Sequence, residues 1–159
     1  MKKVFVAAAA ALSVAVAAAS TVVMSAGPAG ASSAGAQFTA DRAALSAASN
    51  VFSQAFTAWE KSGQSFAQTS SFVSVYALAI EAQGHKLLSQ SWPARATADI
   101  DSLVRGDGAV EGVVAVLSGL ASSSSDTDWF IAYSQDAATA VADANIVRHD
   151  LGLPLASYS

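Results

Sequence analysis

From Leu45 to Leu151 one pattern recurs in four stretches of the chain: apolar side chains three and four residues apart, interrupted by short breakers. That spacing places each set on a single face of an α-helix. The first face is Leu45, Ala48, Phe52, Ala55, Phe56 and Trp59, and the run from Lys61 to Ser65 ends it. In the second, Phe66, Val73, Ile80 and Leu87 stand seven apart, with Thr69, Tyr76 and Gln83 between them. Ser89 to Pro93 then breaks the chain, Ser91 suiting an N-cap and Pro93 a first turn. The third face is Ile100, Leu103, Val110, Val114 and Leu117, followed by a Ser-rich loop from Gly119 to Asp126. The fourth helix is expected to start near Asp126 or Thr127. It carries Phe130, Tyr133, Ala137, Ala140, Ala144, Val147 and Leu151 and stops at Gly152 and Pro154.

No segment alternates apolar and polar residues between turn pairs, as a strand would. The expected fold is therefore all-α: an up-down-up-down four-helix bundle over residues 39–155, with short connections. The small stripe Ala137, Ala140 and Ala144 predicts close approach of the fourth helix to its neighbours. Trp59 and Trp129 are expected to cap the core at one end, and Trp92 at the other.

One residue conflicts with the pattern. Arg105-Gly106-Asp107-Gly108 lies inside the third helix, and the apolar phase runs through it with Asp107 on the seam. Each mid-helix glycine costs about 1 kcal/mol relative to Ala, so a kink that turns Asp107 outward is one outcome. The other is a continuous helix with a buried carboxylate, which must then be paired or hydrogen-bonded. Counting layers from the turns sets Tyr76 at the same level, so the expected partner is the Tyr76 hydroxyl. The same residues spell Arg-Gly-Asp, a tripeptide read by adhesion receptors, but that use needs an exposed loop and the period puts Asp107 inward.

Ahead of the bundle, Lys2 and Lys3 precede an uncharged apolar run from Val4 to Met24, and a small, Gly- and Pro-containing stretch follows. This is the form of a secretory signal. Residues 1–31 are expected to be removed after Ala31, alternatively after Ala36, leaving 32–38 as a flexible segment. Retention of 4–24 as an anchor is the competing reading; with cleavage no stable membrane anchor remains. The chain has no Cys, which excludes a lipid anchor on an N-terminal cysteine, disulfides and thiol chemistry. The expectation is a secreted or envelope protein of bacterial origin.

Without Lys2 and Lys3, six basic residues face twelve acidic ones, a net charge of −6. That balance argues against nucleic acid as a partner. The residues with metal-binding potential are His85 and His149. Glu81 and His85 are four apart on one helix face, and antiparallel packing brings the ends of helices two and four together. A site of His85, His149 and Glu81 is a candidate there, with Asp150, Asp99 or Asp101, and Asp41 at the same end. The simpler reading is that each His sits in a last helical turn, where a cation suits the dipole. No nucleophile elbow, phosphate-cradling loop or calcium loop is present.

The segment Asn145-Ile146-Val147-Arg148-His149-Asp150-Leu151-Gly152-Leu153-Pro154 resembles the ending of small exported all-helical actinobacterial proteins of uncharacterised function. The resemblance implies source and export and carries no activity. Physically, Arg148 and Asp150 are expected to tie the last turn while Leu151, Leu153 and Leu155 fold back over the bundle end. The expected function is that of a non-enzymatic binding or interaction module, cofactor-free, with a protein or small apolar ligand as partner. The alternative is a metal- or haem-binding bundle using His85 and His149.

Overall fold

The computed structural model describes residues 29–62, 65–120 and 123–156. These form four α-helices and no strand: α1 (Ala29–Ser62), α2 (Ser70–Leu88), α3 (Ala94–Val116) and α4 (Ser123–Asp150). Short 3-10 turns, Phe66–Thr69 and Leu117–Gly119, lead into α2 and out of α3. Neighbouring helices run antiparallel. Across α1 and α2, Asp41 meets Lys86 and Phe52 meets Tyr76. Across α3 and α4, the Trp129 indole N–H donates to the Val113 carbonyl while Gly106 faces Ala140. The expected all-α bundle is the fold observed. Among the described residues, no helix is long and apolar enough to cross a membrane.

Several boundaries differ from expectation. Residues 32–38 are helical rather than a flexible segment, because Phe38 is fully buried and packs edge-on against Trp92 at 6.2 Å. Stepping back by four and then three from Leu45 reaches Asp41 and Phe38, both buried, so the helical period of α1 continues upstream. The expected export signal lies, up to residue 28, outside the described residues. α4 begins at Ser123, inside the expected loop. Ser91 does not cap α3. Pro93 occupies that position, and its carbonyl accepts the Ala96 N–H at 2.8 Å.

The core has two apolar clusters. One is rich in aromatic rings: Phe52 lies 4.8 Å from Tyr76, 5.8 Å from Tyr133 and 6.0 Å from Phe56, and Trp129 stacks on Tyr133 at 5.2 Å. Trp59 and Trp129 both lie in it, while Trp92 packs against the second cluster with Phe38, Leu87, Leu103 and Leu151. The tryptophans thus divide between the two ends as the helix positions predicted. Each indole N–H finds a backbone carbonyl, of Ser65, Leu87 and Val113 respectively for Trp59, Trp92 and Trp129. This satisfies the polar atom that burial would otherwise strand.

Helix α3 passes through both glycines without a break. A Cβ on Gly106 would stand 3.3 Å from the Ala140 Cα and 3.1 Å from Asp143 Oδ2, whereas one on Gly108 would meet nothing within 4 Å. Gly106 is therefore a point of close approach between α3 and α4, and the small stripe of α4 is used there. Gly108→Ala is expected to raise stability by about 1 kcal/mol through helix propensity. Gly106→Ala is expected to lower it by about 1 kcal/mol, because overpacking against backbone outweighs the same gain. Urea midpoints of the two variants measure the difference, and equal gains would refute the crossing.

The C-terminus closes on a left-handed Gly152 (φ 71°), with the Leu153 N–H on the Arg148 carbonyl and the Gly152 N–H on that of His149. This is the paired-bond ending of a helix with glycine one residue past the cap. Beyond it, Arg148 Nε donates to the Pro154 carbonyl at 2.7 Å and Asn145 Oδ1 accepts the Ala156 N–H at 2.9 Å. Leu153 lies over Gly35, where a Cβ would come within 2.9 Å. Leu151 and Leu153 fold back as expected, but Leu155 stays 62% exposed. Asp150 turns to His149 and Asp99 and plays no part in this latch.

Candidate functional site

The two apolar clusters are separated by one polar layer. It consists of Arg42 from α1, Gln83 from α2 and Asp107 from α3, each between apolar neighbours on its helix. Asp107 is buried, and its Oδ2 accepts Arg42 Nη1 at 3.0 Å and, more distantly, Gln83 Nε2 at 3.5 Å. The expected bond from Tyr76 is not the one formed. Tyr76 is buried beside Phe52, and its hydroxyl faces those of Ser49 and Tyr133. Arg42 takes the carboxylate instead, because a buried charge is held better by a guanidinium than by a neutral hydroxyl. Buried at this depth, Asp107 cannot serve as an adhesion tripeptide.

Burial pushes the Asp107 carboxyl above its ordinary range. The charge and hydrogen bond of Arg42 pull it part of the way back, and Asp143 adds a further upward push. Asp41 shows the opposite balance. Burial again pushes upward, but bonds from Lys86, Gln90 and Gln37, with the Lys86 charge, bring it below the ordinary range. Its carboxylate is held by Lys86 Nζ at 2.7 Å, Gln90 Nε2 at 2.8 Å and Gln37 Nε2 at 2.9 Å. Burial also raises Tyr76 and Tyr133, so both stay protonated at neutral pH.

Among the described residues, the backbones of α1 and α4 stay further apart than those of α1 and α2, α2 and α3, or α3 and α4. At one end the gap is spanned by rings, Phe52 to Tyr133 at 5.8 Å and Phe56 to Trp129 at 5.4 Å. At the other end Leu153 lies on Gly35. Between these supports small residues make up much of the two walls, Ala43 and Ser46 of α1 and Ala137, Ala140 and Ala144 of α4, with Val141 beside them. Their side chains are too short to fill a spacing that the rings impose. The result is a cleft of about 200 Å³, with Leu45, Ile80 and Val110 deeper in it and Arg42, Asp107, Ser49 and Tyr76 as its polar lining. Arg148 and Ala156, both part of the C-terminal latch, border it. Ser49 is 5% exposed, and its hydroxyl lies beside that of Tyr76.

The metal candidates are not brought together. Glu81 and His85 approach to 3.7 Å, but their side chains are 55% and 79% exposed. His149 is 81% exposed and pairs with Asp150 at 3.2 Å. Among the described residues no group of three or more His, Asp or Glu could hold a metal ion. Both rings stand on outward faces, where solvent competes for them. The shared end does bring Asp99 to Asp150: a hydrogen bond between the two carboxyls raises Asp99 and lowers Asp150. The sequence reading missed Arg42 and Ser49. Extending the period of α1 upstream to Asp41 marks Arg42 as the flank of the seam, and Ser49 falls three before Phe52 on the buried face.

Compared with known proteins, the chain matches no family model, no curated protein and no solved structure.

Proposed function

We propose that this chain is an exported, non-enzymatic binding module that holds a small ligand in the cleft between α1 and α4. One observation carries the reading: a bundle packed along its other seams stays open along this one, over a buried polar layer. Small-molecule sites have this character, a mostly apolar concavity with a few placed polar groups. Export rests on the charged start, apolar run and small-residue flank of residues 1–31. The Asn145-to-Pro154 string, similar to that of exported actinobacterial proteins, agrees with it. The metal or haem alternative lacks an assembled ligand set among the described residues.

Titration of the purified protein with 1-hexanol, followed by amide NMR shifts, tests the reading. Shifts are expected on both walls, at Ala43 and Ser46 and at Ala140 and Ala144, and Ser46→Leu is expected to abolish them by filling the gap. Shifts confined to the exposed Val75 and Leu78 of α2, or none at all, would refute a cleft ligand.

A further inference from the structure

We infer that the cleft receives a small monoanionic amphiphile, a carboxylate whose head docks on Arg42 and whose apolar body lies against Leu45, Ile80 and Val110. The inference rests on the cleft reading above and adds the ligand's charge and size.

Charge follows from the hydrogen-bond inventory of Arg42. A guanidinium carries five N–H donors in a fixed fork. Among the described residues Arg42 engages Asp107 through Nη1 alone. Nε and Nη2, the parallel pair that grips a carboxylate in two-pronged fashion, remain unengaged. The side chain is 25% exposed and lines the cleft, so a ligand reaches it without displacing Asp107. Among the described residues both bonds to Asp107 fall on Oδ2, and the Arg42 guanidinium offsets its charge. Arg148 borders the same cleft, which sets two guanidiniums against one carboxylate in its lining. Asp143 acts on Asp107 through space but does not line the cleft. Ser49 also lines the cleft, with its hydroxyl beside that of Tyr76.

Size follows from volume. An apolar cavity of 150 Å³ takes benzene, so one of about 200 Å³ takes roughly eight heavy atoms. Hexanoate has that size. The apolar lining supplies contact for its chain, and the small residues of both walls leave the way in open.

Three ligands of matched chain length separate the terms: hexanoate, 1-hexanol and hexylamine, titrated by NMR at fixed ionic strength. Hexanoate is expected to bind about 10- to 100-fold more tightly than 1-hexanol, the scale of hydrogen bonds to a charged group. Hexylamine is expected to bind more weakly than either, and the Arg42 Nε–H resonance is expected to move with hexanoate alone. In the double variant Arg42→Met/Asp107→Leu, hexanoate should fall to the level of 1-hexanol while 1-hexanol binding persists. Equal affinities of hexanoate and 1-hexanol in the wild-type cleft would overturn the anion assignment and leave the cleft reading standing. Failure of all three to shift the cleft residues would overturn both.

Discussion

Replacing Arg42 by Met is expected to destabilise the protein by about 3 kcal/mol at neutral pH, in the range for removing one partner of a buried ion pair. The two partners are not equivalent. Asp107 is 7% exposed in its side chain and Arg42 25%. Losing the cation strands a buried carboxylate, whereas losing the carboxylate leaves a cation that the open cleft can hydrate. Asp107→Leu alone is therefore expected to be close to neutral, and the double variant to regain wild-type stability or exceed it. The pH dependence gives an independent check. Asp107 has a folded pKa above its ordinary 3.8, so the native state binds more proton than the unfolded chain between those values. Its contribution is most favourable below the unfolded pKa and is lost as pH rises through the folded one. Without Arg42 the folded value climbs further, so the deficit of Arg42→Met should grow as pH rises from about 4 to 7. Urea unfolding across that range measures it. A deficit independent of pH, or a loss below about 1 kcal/mol at neutral pH, would show that the pair is surface-like.

Phe52→Ala is expected to cost about 3–5 kcal/mol, the range for deleting a buried aromatic ring. Phe52 is fully buried and meets Phe56, Phe72, Tyr76 and Tyr133 at centroid distances of 4.8–6.0 Å. For a single domain whose total stability is about 5–15 kcal/mol, that is a large fraction. Phe52→Leu keeps most of the volume and should lose much less. The measurement is the shift of the urea midpoint at unchanged slope. Because the Phe52–Tyr133 contact helps set the α1–α4 spacing, Phe52→Ala should also weaken 1-hexanol binding in whatever fraction stays folded. A loss under 1 kcal/mol would mean the ring cluster is not the structural centre that its burial indicates.

Asp107 and Tyr76 show where reading the sequence succeeds and where it stops. A period of three and four places Asp107 on the seam of α3 because a helix's geometry is local: 3.6 residues per turn relates Leu103, Asp107 and Val110 without reference to the rest of the chain. Both it and Tyr76 are buried at those positions. Which group answers the carboxylate is a matter of lateral register between helices, decided by how rings and small residues interlock. A layer count cannot separate Tyr76 on α2 from Arg42 on α1. The early start of α1 was legible in part, since the same step leads from Leu45 back to Asp41 and Phe38. What concealed it was composition, because a stretch of Ala, Ser and Gly ahead of Phe38 reads as a linker until Leu153 is seen over Gly35 and Trp92 against Phe38.

The repeat of apolar positions alone determined that four helices form, which face of each is buried, and that Asp107 lies inside. These are consequences of local backbone geometry and the withdrawal of oily surface from water. Only the tertiary structure decided that Arg42 holds Asp107, that Gly106 receives Ala140, and that α1 and α4 stand apart over a cleft. Each of those depends on distances between segments far apart in the chain. Such distances are set along the α1–α4 seam by the rings at one end and by Leu153 on Gly35 at the other, and the residues between them inherit whatever gap is left.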